Sequence, residues 1–196
     1  MDLTQYIKFP LQDREWIKKV IFGCIIFLVP VLNIIIIGYF IKCIEMGREK
    51  RQSLPEWDNW TDIIRDGFLG LVIAIIYLVI PIILAQFLSV IPIAGIFLSS
   101  IILILIGAVI PIAIANYSIR RDFKDAFEFA KIIYRLNHIT KHYFTVYILM
   151  TLATVIGIFF ILMMPLFAFL GILLMFYLGI VFSNLVGMMF QDTLYN

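Results

Sequence analysis

The chain has 196 residues, of which 63% are hydrophobic and 14% charged, with Lys+Arg 15 against Asp+Glu 13 and a net charge of +2. A soluble domain is about 45–50% apolar and about 25% charged, and one of this size has too little interior to hide such an excess. A water-soluble monomer, a disordered chain and a nucleic-acid-binding domain are excluded, and the small net charge names no polyanionic partner. A single all-α domain over residues 1–196, a polytopic helical membrane protein, is predicted.

The first segment, 1–19, carries Asp2, Lys8, Asp13, Arg14, Glu15, Lys18 and Lys19 and reads as interfacial. No small-residue cleavage signature follows it, so no removed signal peptide is expected. The first charge-free stretch, 20–41, is long enough for one span. Pro30 stands at its midpoint, and Pro30-Val31-Leu32-Asn33 suits a turn. Two readings therefore stand: a single span, or a re-entrant hairpin of two short limbs that other protein must cover. The first puts the N-terminus on the far side and the second on the near side. Cys24 and Cys43 match no metal or redox spacing and read as small buried hydrophobes.

Residues 42–66 form a charged loop containing Leu54-Pro55-Glu56-Trp57-Asp58-Asn59-Trp60. Trp57 and Trp60 suit a membrane–water interface, and Asp58 or Asn59 can cap a short helix running toward Asp66. The second stretch, 67–119, is twice the length of a span and must turn back once. Pro92 lies one residue from its midpoint and marks the turn, giving limbs of 68–91 and 93–117. Pro81 and Pro111 fall inside these limbs. Residues 121–136 show apolar positions at three- and four-residue spacing with charges between them, predicting an amphipathic cytoplasmic helix within 120–141. His138 and His142 have the spacing of a metal pair, but no third ligand stands beside them. The third stretch, 142–191, is a second hairpin whose turn is marked by Pro165. Its last limb carries Gly171, Gly179, Ser183 and Gly187 along one helical face, suited to close packing within the chain or to self-association.

Lys and Arg number four in the tail, five in the first loop and six in the second, with none in the apolar turns. The positive-inside rule makes the charged loops and the C-terminus cytoplasmic.

The strings Phe9-Pro10, Trp16-Ile17-Lys18-Lys19, Gly38-Tyr39, Leu54-Pro55-Glu56-Trp57-Asp58-Asn59-Trp60 and Asp66-Gly67 together resemble a known family. It is the prokaryotic multi-pass membrane family catalogued as domain of unknown function 4013. The resemblance implies the cytoplasmic membrane of a bacterium or archaeon and carries over no catalytic residue.

No Asp, Glu, Lys or Arg lies within the three stretches. That argues against a proton relay, an ion path or paired carboxylate chemistry inside the bilayer. No enzyme, cofactor or metal is expected. The leading expectation is an oligomeric scaffold that organises or shapes the membrane, with the lipid bilayer and further copies of the chain as partners. The alternatives are a transporter of a neutral or lipidic solute, through Gln86, Asn116 and Asn184, and an accessory subunit of another membrane protein, docking through Leu54–Trp60 or the 121–136 helix.

Overall fold

Proline and charged turns decide where the helices stop. A computed structural model describes residues 7–51, 53–163 and 168–192, and the side chains of these except 140–142 and 192. Among the described residues all regular structure is helical. The α-helices are α1 (Trp16–Phe27), α2 (Asn33–Arg48), α3 (Trp60–Leu88), α4 (Ala94–Arg120), α5 (Phe129–Met163) and α6 (Ala168–Asp192). Short 3₁₀ turns cover Phe9–Gln12, Pro30–Leu32 and Phe123–Phe127.

The first apolar stretch does not run straight. α1 ends before Pro30, which opens a 3₁₀ turn, and α2 leaves in a new direction. The turn satisfies its own backbone: Val29 N–H donates to Ile26 O at 3.1 Å and Leu32 N–H to Val29 O at 2.8 Å. The start of α1, at Lys19, and the middle of α2, at Tyr39, both meet residues 54–57, so the two helices form a hairpin whose ends share one side. Pro30–Arg48 is nonetheless one of five segments long and apolar enough to cross a membrane.

α3 and α4 form the next hairpin, with Pro92 in the turn between Leu88 and Ala94. Both helices outrun their apolar limbs, α3 beginning at Trp60 and α4 ending at Arg120, since neither extension contains a proline to stop the helix. The separate short helix expected before Asp66 is therefore the first two turns of α3. Asn59 holds its N-cap position in a left-handed conformation, φ 48°, without a side-chain capping bond. Pro81 and Pro111 lie inside continuous helices. Pro111 has no N–H for the carbonyl one turn back. One residue further on, the Tyr143 hydroxyl donates to Ala108 O at 2.5 Å.

The 121–136 segment corrects the expected amphipathic helix. Arg121, at φ 54°, ends α4, and the Asp122 carboxylate accepts from Lys124 N–H at 3.0 Å to cap a 3₁₀ turn. A non-helical Glu128 then separates that turn from α5. From Phe129 no proline or glycine intervenes before Gly157, and α5 continues unbroken to Met163. The second half of the amphipathic pattern is thus the start of a membrane helix. Pro165 lies outside the described residues.

Helix α2 is clamped between α3 and α6 by reciprocal glycines. Gly38 faces the Ile63 carbonyl while Gly67 faces that of Ile34. Gly47 faces the Asn184 carbonyl while Gly187 faces that of Ile44. None of the four contacts leaves room for a methyl group, which is how helices approach closely where no water drives them together. One core gathers Ile73, Ile112, Tyr117, Tyr143 and Phe190, and a second gathers Cys24, Tyr39, Cys43, Leu54 and Phe176. Away from the charged end the surface is apolar: Phe87 is 73% exposed, Val90 80% and Phe97 69%. A continuous apolar coat on membrane-length helices makes this a multi-pass integral membrane protein.

Candidate functional site

The described polar side chains that bond across elements concentrate at the charged end, in two clusters. The first is built on Leu54–Trp60. Lys19 reaches it from α1, donating to Asp13 Oδ2 at 2.8 Å, Leu54 O at 3.1 Å and Glu56 Oε1 at 2.5 Å. Lys19 and Asp13 are both buried. Asp13 also accepts from the amides of Glu15 at 2.7 Å and Leu54 at 3.0 Å. Burial alone would raise the Asp13 carboxyl, but the Lys19 ammonium and the two amides hold it below the usual carboxylate range. Burial likewise opposes the Lys19 charge, but Asp13 and Glu56 lift it above the usual lysine value.

The aromatic residues close the same cluster. Trp57 Nε1 donates to Lys19 O at 3.1 Å, and the Trp57 ring stacks on Tyr39 at 4.0 Å. The Tyr39 hydroxyl donates to Pro55 O at 3.2 Å. Lys42 donates to the Asp58 carbonyl at 3.1 Å and to its carboxylate at 3.2 Å. Trp60 remains half exposed beside Phe22. The motif is a strap that binds α1 and α2 to the start of α3, with Leu54 buried in the second core and Trp57 packed against it. Sequence reasoning singled out the strap but missed its partners Asp13, Lys19, Tyr39 and Lys42. Lys18-Lys19 and Gly38-Tyr39 were visible as text, yet nothing local says which lysine turns inward.

The second cluster joins the other helix ends. Asp66, 1% exposed, accepts from the Tyr117 hydroxyl at 2.8 Å and lies 3.3 Å from Arg65 and 3.4 Å from Arg121. Arg121 also pairs with Glu45 at 3.2 Å, which joins α2 to the end of α4. Arg120 grips Asp125 through Nε at 2.8 Å and Nη2 at 2.5 Å. Hydrogen bonding to Arg120 outweighs burial and keeps the Asp125 carboxyl below its usual range. Asn116 donates to Asp125 O and accepts from Arg135, whose guanidinium lies 4.1 Å over the Phe190 ring. Burial lowers Arg135 from its ordinary value.

The remaining sequence candidates separate. Gly179 packs on the Phe40 ring and Gly187 on the α2 backbone, while Gly171 meets the Gly157 carbonyl of α5. Ser183 is buried beside a 220 Å³ apolar cavity between α2, α3, α4 and α6. The small residues are consumed by contacts inside the chain, to two different helices, which leaves no free glycine seam for a second copy. Gln86 is exposed, Asn116 is bound to Asp125 and Arg135, and Asn184 is buried against α2, so the three amides do not converge on a route. The His138 ring accompanies Tyr134, and the His142 side chain lies outside the described residues. Among the described residues no group of three or more His, Cys, Asp and Glu is placed to hold a metal ion.

A family model described as "Protein of unknown function (DUF4013)" matches residues 21–167, three quarters of the chain. An uncharacterized protein of Methanocaldococcus jannaschii is 29% identical over 133 residues, covering 59% of this chain. The match spans 45% of that relative's own length. No solved structure matches.

Proposed function

The chain belongs to the DUF4013 family, and from that premise we propose a non-enzymatic scaffold that shapes the prokaryotic cytoplasmic membrane, with its charged end in the cytoplasm. The α1–α2 hairpin carries the reading. Its α-helical arms have 12 and 16 residues, or about 18 and 24 Å at about 1.5 Å per residue. Although Pro30–Arg48 has the length and apolarity to cross alone, pairing with the shorter first arm through residues 54–57 favours a hairpin that turns within the roughly 30 Å hydrocarbon core. Its tip is apolar, with Val31 78% exposed, and suits acyl chains rather than water. The leaflet on the charged side then holds sections of six helices and the opposite leaflet sections of four. Each added helix is about 10–12 Å across with its side chains, so the protein is a wedge, thick at its charged end. A wedge inserted from one side expands that leaflet and bends the bilayer toward the other.

Copies that crowd together add their curvature, and they meet through lipid-facing surfaces, because the glycine contacts are internal. The experiment is reconstitution into large liposomes with cryo-electron microscopy. Small vesicles or tubules with the charged end outward are expected, and unchanged liposomes at high protein density reject the proposal. The Val31→Lys variant checks the tip. A lysine in the hydrocarbon core costs up to about 2.5–3.5 kcal/mol of insertion free energy, the value at mid-bilayer, so poorer membrane insertion is expected. Wild-type insertion places the tip in water and removes the wedge.

A further inference from the structure

A second feature of the lipid-facing surface stands apart from the wedge and requires only that the protein is embedded in a bilayer. A cavity of about 350 Å³ opens between α3, α4, the Phe123–Phe127 turn and the start of α5. That volume falls within the range of about 300–1,000 Å³ typical of small-ligand sites. Tyr77 is its one lining residue with a polar side-chain atom, and its hydroxyl is already used, donating to Ala126 O at 2.7 Å. The Tyr77 ring stacks on Phe127 at 5.7 Å and meets Phe129 edge-on at 6.1 Å, forming a fixed aromatic wall.

The groove also has a direction. Asp66 and Tyr117 mark the charged end. Pro81 lies 15 residues beyond Asp66 and Ile106 lies 11 before Tyr117, roughly 22 and 16 Å along their helices. Phe127 and Phe129 stand at the other end, beside Glu128 and Lys131, which pair with each other at 2.7 Å. The groove therefore runs inward from headgroup level, the course of a lipid chain. Its rim is continuous with the lipid-contacting surface, since Ile80 is 66% exposed and Ile133 57%. Water is excluded by the lining, and an empty groove would forfeit dispersion contacts along its whole length. The bilayer supplies hydrocarbon at this depth.

We propose that this groove is a resident binding site for one hydrocarbon chain of a membrane lipid. Recognition is of the chain, because the neighbouring charges neutralise each other and no free polar side chain lines the walls.

The test uses the full chain in phosphatidylcholine vesicles doped with phosphatidylcholine that carries a diazirine in one acyl chain. After photolysis, adducts are mapped by peptide mass spectrometry. Random lipid contact labels residues in order of exposure, so that Phe97 and Leu162, 69% and 68% exposed, exceed the half-buried Ile106 and Val109. A resident chain reverses that order by several-fold. Filling the groove with Val109→Trp should abolish the excess at Ile106 while labelling at Phe97 and Leu162 is unchanged. Ile133→Trp, at the exposed rim, does the same without burdening the core. Labelling that follows exposure in the wild-type protein overturns the proposal, as does an excess at Ile106 that survives both tryptophans.

Discussion

Lys19→Met tests whether the strap is held by its buried ion pair. The Lys19 and Asp13 side chains are each 7% exposed, whereas Glu56, the other partner of Lys19, is 66% exposed. Removing one member of a buried pair leaves the other charge uncompensated and costs about 3–5 kcal/mol. An exposed partner is worth roughly 0–1 kcal/mol. Lys19→Met should therefore loosen the strap strongly and Glu56→Gln hardly at all. Cys24 and Cys43 report the loosening, because both are free, fully buried and packed in the core beneath Leu54. With tenfold for each ~1.4 kcal/mol, thiol labelling in mild detergent should accelerate by about two to four decades in Lys19→Met and by less than about one decade in Glu56→Gln. Adding Asp13→Asn to Lys19→Met removes the orphaned charge and should recover part of the protection. Equal acceleration by the two single variants, or none by Lys19→Met, refutes the reasoning. The pH dependence follows from the same pair. The folded Asp13 value is depressed, so its contribution is present above the unfolded carboxylate value and lost as pH falls through the folded one. The folded Lys19 value is raised, so its contribution is present below the unfolded lysine value and lost as pH climbs past the folded one. Opening rates, corrected for thiolate fraction, should stay flat between about pH 5 and 10.

Two further substitutions probe the backbone. Lys50 sits at φ 53° just past α2, with Lys50 N–H bonded to Gly47 O and Arg51 N–H to Met46 O, a Schellman-type end that favours glycine. Lys50→Gly should stabilise the protein by about 1 kcal/mol, read as a rise in unfolding midpoint, and a lowered midpoint contradicts it. Gly47→Ala drives a methyl group into the Asn184 backbone and should cost about 1–3 kcal/mol or more, whereas at Gly107 the added methyl meets only the movable end of Tyr147. Titration with a denaturing detergent should rank Gly47→Ala well below Gly107→Ala, and equal midpoints would show that α2 and α6 separate freely.

What the sequence disclosed followed from local chemistry. Pro30 and Pro92 stand near the midpoints of charge-free stretches and break the helix there, whereas Pro81 and Pro111 are carried inside continuous helices. Uncharged length, which sets where spans can lie, made the first pair legible as turns. The break at Glu128 was less so. The apolar spacing from Phe123 to Tyr134 satisfies a helix, but the chain has to turn after α4, and the Asp122 cap with Asn116 bonded to Asp125 O selects a 3₁₀ turn instead. The glycine face of α6 was visible, yet its partners Phe40, Gly47 and Gly157 were not, because a helical period locates a face and leaves the opposing helix unnamed. The burial of Lys19 had no local signal at all. Its neighbour Lys18 has the same flanks and ends 78% exposed on Glu15. Only the return of Leu54 and Glu56, some 35 residues later, tells the two lysines apart.

The same physics explains why cohesion is uneven along the membrane normal. Lipid chains are as apolar as the helix surfaces, so burial of isoleucine and leucine gives little reason for helices to associate. Close backbone approach and buried polar bonds must hold them instead. In this chain Gly47 and Gly187 lie near the charged end, and the clusters around Lys19, Asp66 and Asp125 lie there as well. The distal halves of α3 and α4 contribute exposed isoleucine, valine and phenylalanine and no described ion pair. Apart from the α5–α6 contact of Gly157 with Gly171, the helices are fixed mainly at the charged end, and the scaffold proposed above requires that rigidity, because a wedge can impose its shape on a bilayer only if its broad end does not yield.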